Sequence, residues 1–244
     1  MSSPTLVLFR KECSVALRTR ATWCVFAAYA ALVGLFFVFR LRSATGLPGL
    51  LPALFASPLV LATPVPAAFF TMGLFSRERA SGTLETLLTA PVTDAEVVLG
   101  KFAAAWFLSL LAIATAALEF RAYLLLASPP PAFDPLLVGA GFAGAALASL
   151  LWTALGLLLS LLVRHESAAG AGTLVLGFPL ATVAAEAVPA VPYDSALRLC
   201  SLVDLARGVA DTRPIFACVS VAAFCLFVAV RVLESRRWAS SSSV

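Results

Sequence analysis

The stretch Arg77-Glu78-Arg79-Ala80-Ser81-Gly82-Thr83-Leu84-Glu85-Thr86-Leu87-Leu88-Thr89-Ala90-Pro91-Val92-Thr93-Asp94-Ala95-Glu96 decides how the rest of the chain is read. It is the longest polar segment between two strongly apolar ones, and it is built as two capped pieces. Gly82 breaks the chain, and the hydroxyl of Ser81 or Thr83 can cap the turn that follows. Leu84, Leu87 and Leu88 recur at i, i+3 and i+4, one apolar stripe with Glu85 and Thr86 on the other side. Pro91 stops this short helix, because the residue before a proline avoids helical angles. A second helix starts at once: Thr93 and Glu96 form a capping box, and Val92 and Val97 a hydrophobic staple. Asp94 and Glu96 suit the positive end of its dipole. The pattern predicts a short amphipathic helix along a surface, a proline corner, and a helix running into apolar surroundings.

Those surroundings are a membrane. The chain is 61% apolar and 12% charged, where soluble domains average about 45–50% and about 25%. Its mean hydropathy is +0.99. The net charge of +4 is a topology signal, because the basic residues stand in ones and twos without the stripe that nucleic-acid binders show. The five cysteines (Cys13, Cys24, Cys200, Cys218 and Cys225) include no CxxC pair and supply no disulfide framework. Cys218 and Cys225 read as small core residues of an apolar helix.

A bilayer core of about 30 Å needs roughly 20 apolar helical residues. The segment up to Arg20 carries Arg10, Lys11, Arg18 and Arg20, with Leu6, Phe9, Cys13 and Leu17 at helical spacing, and reads as an interfacial helix over 1–20. Residues 21–39 form the first span, closed by Arg40 and Arg42. These arginines stand where a signal peptide would have small residues, so the N-terminus does not read as cleaved. Counting back from Arg77 puts the second span at 57–76, with Pro48–Pro52 as an outer or re-entrant approach. Pro58, Pro64 and Pro66 predict that this span is broken and faces the protein interior.

The third span, 101–126, follows Lys101. Glu119 and Arg121 interrupt its far end, about 27 Å beyond Lys101. They read as interfacial residues near Tyr123 or as an intramembrane pair in a pathway. Spans at 136–163, 167–185 and 214–232 complete six. Arg164-His165-Glu166 is a minimal loop between the fourth and fifth, and Asp194–Arg207 reads as a helix ending at Gly208. With both termini inside, eleven of the 17 Lys and Arg fall on the inner side, in line with the positive-inside rule.

Enzymatic motifs are missing from the sequence. The single histidine, His165, is followed by Glu166 but by no second histidine at helical spacing, so no zinc-peptidase motif forms. No Ser/His pair can be built at membrane depth without it. There is no G-x-x-x-x-G-K-[ST] to cradle nucleotide phosphates.

The segment from Arg77-Glu78 through Gly82-Thr83-Leu84-Glu85-x-Leu87-Leu88-Thr89-x-Pro91-Val92, with Glu96 and Leu99-Gly100-Lys101-Phe102, closely resembles the pattern between the second and third spans of ABC-2 type transporter permeases. Gly208-Val209-Ala210-Asp211-Thr212-Arg213 and Leu233-Glu234-Ser235-Arg236-Arg237-Trp238 are similar to the gliding-motility branch of that family. The likeness covers nearly the whole chain. One departure is that the family often has two acids and then two bases before the Gly-Thr, whereas Arg77 here replaces the first acid and Ala80 the second base.

The resemblance implies an all-α polytopic membrane protein, one transmembrane domain over 1–244. It would have six transmembrane helices, an N-terminal interfacial helix, and a cytoplasmic coupling helix in the loop at 78–93. It implies a permease, an exporter by family pattern, paired with a cytoplasmic ATPase subunit that binds ATP and Mg, and with a second permease copy or paralogue. This chain would hold no cofactor or metal and no catalytic group. It would sit in the inner cell membrane with both termini cytoplasmic. The expected ATPase-coupling residues are Glu78, Arg79, Gly82, Thr83, Leu84, Glu85, Leu87, Leu88 and Pro91, with Thr93 and Glu96 as helix caps. Pro64, Pro66, Glu119 and Arg121 are candidates for a pathway. The alternative is a membrane anchor for an ATPase-containing envelope machine that moves no solute.

Overall fold

The computed structural model describes residues 4–43, 51–82, 92–127, 133–163, 165–185, 202–207 and 212–241. Among them every regular element is helical: α1 (Pro4–Arg18), α2 (Arg20–Ser43), α3 (Leu51–Ala62), α4 (Pro64–Met72), α5 (Ser76–Ala80), α6 (Asp94–Leu126), α7 (Pro135–Leu162), α8 (Glu166–Ala185), a 3-10 turn (Val203–Arg207) and α9 (Arg213–Ser241). Five segments of the described residues are long and apolar enough to cross a membrane: Arg20–Arg42, Leu51–Ala80, Asp94–Leu126, Pro135–Leu162 and Arg213–Ser235. The twenty-residue α8 stands where the sequence places its fifth span.

The second of these segments is the innermost, with 78% of its apolar window buried against 22% for the first and the last. Its prolines account for its segmentation. Pro64 and Pro66 bring no N–H to the helix, so α3 and α4 part at Thr63, whose hydroxyl donates to the Val60 carbonyl at 2.6 Å. Pro52 stands within the helix Leu51–Ala62, and Pro48 lies outside the described residues. Neighbouring helices shield the irregular backbone from lipid, which is the condition under which a broken span is stable.

The central helix is α7. It packs against α3, α4, α6, α8, α9 and the 3-10 turn. Small residues make this possible, since a side chain on Gly144 would strike the Leu202 carbonyl and one on Gly156 the Thr71 hydroxyl. One apolar cluster joins α2, α3, α4, α6 and α7 through Phe26, Phe55, Phe70, Phe120 and Trp152. A second, with Phe75, Val98, Phe102, Leu157, Leu161 and Leu233, joins α6, α7 and α9 beside α5. Polar ties cross the bundle: Tyr29 Oη donates to the Leu59 carbonyl (3.1 Å), Arg40 Nη2 to Ser57 Oγ (2.7 Å), and Trp106 Nε1 to Ser149 Oγ (3.2 Å).

The helix α1 lies against the first turns of α6, where Leu8 meets Gly100 and the Phe9 and Phe107 rings meet edge to face at 5.6 Å. Cys13 is buried as the apolar stripe predicts, but Leu6 is 42% exposed and turns away from the bundle. Of the helix expected over Asp194–Arg207, the described part is the 3-10 turn. Its Val203 and Ala206 are buried, as is Leu202 just before it; the rest lies outside the described residues. Cys218 and Cys225 are buried on α9.

Candidate functional site

The site is built around α5, the five-residue helix that leads into the polar stretch. The second span breaks between Met72 and Ser76, and α7 supplies the missing hydrogen-bond partners there. Ser160 Oγ accepts from the N–H of Phe75 (3.2 Å) and of Ser76 (3.4 Å) and donates to the Met72 carbonyl (3.2 Å). At the other end the Ser81 N–H donates to the Arg77 carbonyl at 2.9 Å. Gly82 then ends the helix with φ of 72°, a left-handed conformation that costs a side-chain-bearing residue free energy.

Three consecutive residues of α5 hold three different helices. Successive helical positions are turned by about 100°, so Arg77, Glu78 and Arg79 point in different directions. Arg77 forms a two-pronged ion pair with Glu166 at the start of α8, its Nε donating to Oε2 at 2.8 Å. Glu78 Oε1 accepts from Lys101 Nζ of α6 at 2.7 Å. Arg79 Nη2 donates to the Leu161 carbonyl near the end of α7.

Lys101 ties α1 into the same assembly. Its side chain is 1% exposed, yet all three ammonium protons have acceptors: Glu12 Oε1 at 2.9 Å, the Leu74 carbonyl at 3.0 Å and Glu78 Oε1. The Phe75 ring lies 5.2 Å from Nζ and adds a cation–π contact. A buried ammonium is tolerated only with this degree of pairing. The sequence reading used Lys101 to mark where the third span begins and missed this role. The available signal was a lone lysine inside an apolar run, between Leu99-Gly100 and Phe102-Ala103, which calls for an acidic partner.

The other sequence-predicted residues fall in separate places. Thr83, Leu84, Glu85, Leu87, Leu88 and Pro91 lie outside the described residues. Beyond them, Thr93 Oγ1 accepts from the Glu96 N–H (3.3 Å) and Glu96 Oε2 from the Thr93 N–H (2.9 Å), a reciprocal cap that starts α6. Val92 and Val97 pack into the same apolar cluster. Pro64 and Pro66 are buried, and Pro64 lies against Gly177 of α8. Glu119 sits instead against Gly34 of α2, and Arg121 is exposed. No group of three or more metal-ligating side chains occurs among the described residues.

The arrangement is mechanical in character. Directional bonds join α5 to α6, α7 and α8, Lys101 joins α1 to the same junction, and Ser160 ties α7 to the break before α5. The sequence model for the ABC-2 family transporter proteins matches residues 6–197, most of the chain. A comparison with curated proteins gives no match. A multi-pass helical bundle, a segmented second span leading into a polar junction, and a family match over this length identify the chain as a member of the ABC-2 family transporter proteins, a membrane permease subunit that works with an ABC ATPase.

Proposed function

We propose that this permease receives the stroke of its ATPase on the segment after α5 and distributes it through Arg77, Glu78 and Arg79, in the direction of export. The observation that carries the reading is the three-way grip of α5 on α8, α6 and α7. Leu84, Leu87 and Leu88 form the docking stripe, with Glu85 among the polar contacts. The ATPase binds ATP and Mg on the cytoplasmic side, where both termini of this chain also lie. The reciprocal Thr93–Glu96 cap makes the start of α6 stiff enough to transmit displacement into the membrane. The exposed apolar faces of α2 and α9, with Leu35, Phe39, Phe224 and Phe227, are available to lipid and to a second permease copy.

The test is purification of the tagged chain from its host, with its ATPase identified by mass spectrometry, followed by ATP turnover in proteoliposomes. Replacing Leu87 and Leu88 with Asp is expected to abolish co-purification of the ATPase. Glu78→Gln with Arg79→Ala is expected to retain it but to lower permease-dependent turnover about ten- to a hundredfold, the scale of losing charged hydrogen bonds. Unchanged co-purification and turnover in both variants would remove the coupling role. A bound ATPase whose turnover is indifferent to the permease would favour the anchor reading.

A further inference from the structure

A cavity of about 640 Å³ lies under the elbow between α1 and α2, against α4, α5 and α6. We propose that it holds the phosphate head and the first part of one acyl chain of an anionic phospholipid, drawn from the leaflet on the α1 side. This goes beyond the coupling reading and stands whether or not α5 receives the stroke of the ATPase.

The cavity has two unlike walls. Phe69, Phe70, Ala105 and Leu108 make one of them apolar, while the other carries Lys11, Arg77, Lys101, Glu12 and Glu78. An amphiphile satisfies both walls at once, whereas a small hydrophilic ion leaves the aromatic wall facing water. The volume lies within the range of small-molecule pockets. It takes a head group and part of a chain, and the remaining lipid continues into the bilayer beside α2. The position suits this, since an amphipathic helix meets a membrane span at the depth of the head groups.

The charges select the sign of the head. Three cations and two carboxylates line the cavity, and Glu166 behind it pairs with Arg77, so the cation left without a carboxylate among the described residues is Lys11. Lys101 cannot serve the head, because Glu12, Glu78 and the Leu74 carbonyl use its three protons. Arg77 spends Nε and Nη2 on Glu166 and keeps Nη1 for another acceptor. Lys11 is exposed and makes no salt bridge with a described residue. Lys11 and Arg77 Nη1 are thus the donors for a phosphate, in charge-assisted hydrogen bonds.

The experiment uses the full chain, purified in detergent with whatever subunits accompany it. Its thermal unfolding is followed while dioleoylphosphatidylglycerol, dioleoylphosphatidylcholine or glycerol phosphate is added in mixed micelles, and retained lipid is read by native mass spectrometry. Phosphatidylglycerol is expected to raise the unfolding temperature by several degrees and phosphatidylcholine to do so only at higher concentration. Lys11→Glu, on an exposed position that does not threaten folding, is expected to shift the phosphatidylglycerol midpoint upward about tenfold. Ala105→Phe, which fills the apolar wall, is expected to release the retained lipid. Equal effects of the two lipids, or an unchanged midpoint in Lys11→Glu, would overturn the proposal. So would the full shift from glycerol phosphate alone, which would make this a free-anion site. Loss of the cavity to a second copy would show as lipid binding that disappears on dimerisation, and that too would overturn it.

Discussion

Lys101 concentrates the electrostatics of the junction, because two carboxylates from separate helices pair with one ammonium. Removing the lysine alone takes its ammonium from both carboxylates, next to the buried Phe75 ring. Truncating one partner of a buried pair costs about 3–5 kcal/mol. Lys101→Met is therefore expected to lower the unfolding temperature in detergent sharply. Adding Glu12→Gln and Glu78→Gln to it should recover most of the loss, since neutral amides carry a smaller desolvation cost. A Lys101→Met protein as stable as the parent would show that the ammonium is dispensable. The Arg77–Glu166 pair is different: its arginine side chain is 67% exposed, and a solvated pair of this kind contributes roughly 0–1 kcal/mol. Its value lies in direction and not in stability. It also shows where the Arg77 departure from the family pattern finds its partner.

At the scale of elements, the short α5 depends on its neighbour for existence. Five residues cannot hold a helix alone, and Ser160 of α7 supplies the partners at its N-terminal side. Ser160→Ala leaves two N–H groups and one carbonyl without that hydroxyl, a loss on the order of 1–3 kcal/mol. The expected result is a lower unfolding temperature together with weaker permease-dependent ATP turnover; a change in the first without the second would confine Ser160 to a structural role. The start of α6 was legible in sequence because a capping box is a local device, complete within four residues. The division of the second span was legible because proline acts through its own missing N–H. The Ser160 tie was not, since it joins residues 84 and 85 positions apart, and a serine in an apolar helix looks the same whether it bonds its own turn or another helix. The Glu12–Lys101–Glu78 junction was hidden for the same reason. Each residue looked like an ordinary boundary charge until the fold brought the three together.

For the whole molecule, the docking of α1 onto α6 determines how the N-terminal segment behaves. Burial pushes the Cys13 thiol above its ordinary value, and the neighbouring Glu12 carboxylate pushes it in the same direction. The neutral thiol is thus favoured in the folded protein, so thiolate is scarce at pH 7 and becomes available only as the pH rises past the ordinary value of 9.0. In a variant retaining Cys13 as its single cysteine, labelling by a water-soluble maleimide is expected to be slow at pH 7 and to climb steeply with pH. Lys101→Met in that background should speed labelling at pH 7 by about tenfold or more, because α1 loses its ionic hold on α6 and Cys13 gains access to water. Equal rates with and without Lys101 would mean that Leu8 and Phe9 suffice to keep α1 in place.

The three-way grip of α5 has a consequence for how this chain can change in length. Substitutions at Arg77, Glu78 or Arg79 remove one contact each. A single residue inserted between Ser76 and Arg77 would turn all three side chains by about 100° and misdirect them together. The same insertion beyond Gly82 would leave their phase untouched. The segment before Gly82 should consequently reject insertions and deletions even where it accepts point replacements, and in a scan of one-residue insertions across 74–83 the unfolding temperature should fall for those up to Arg79 and recover for those beyond Gly82.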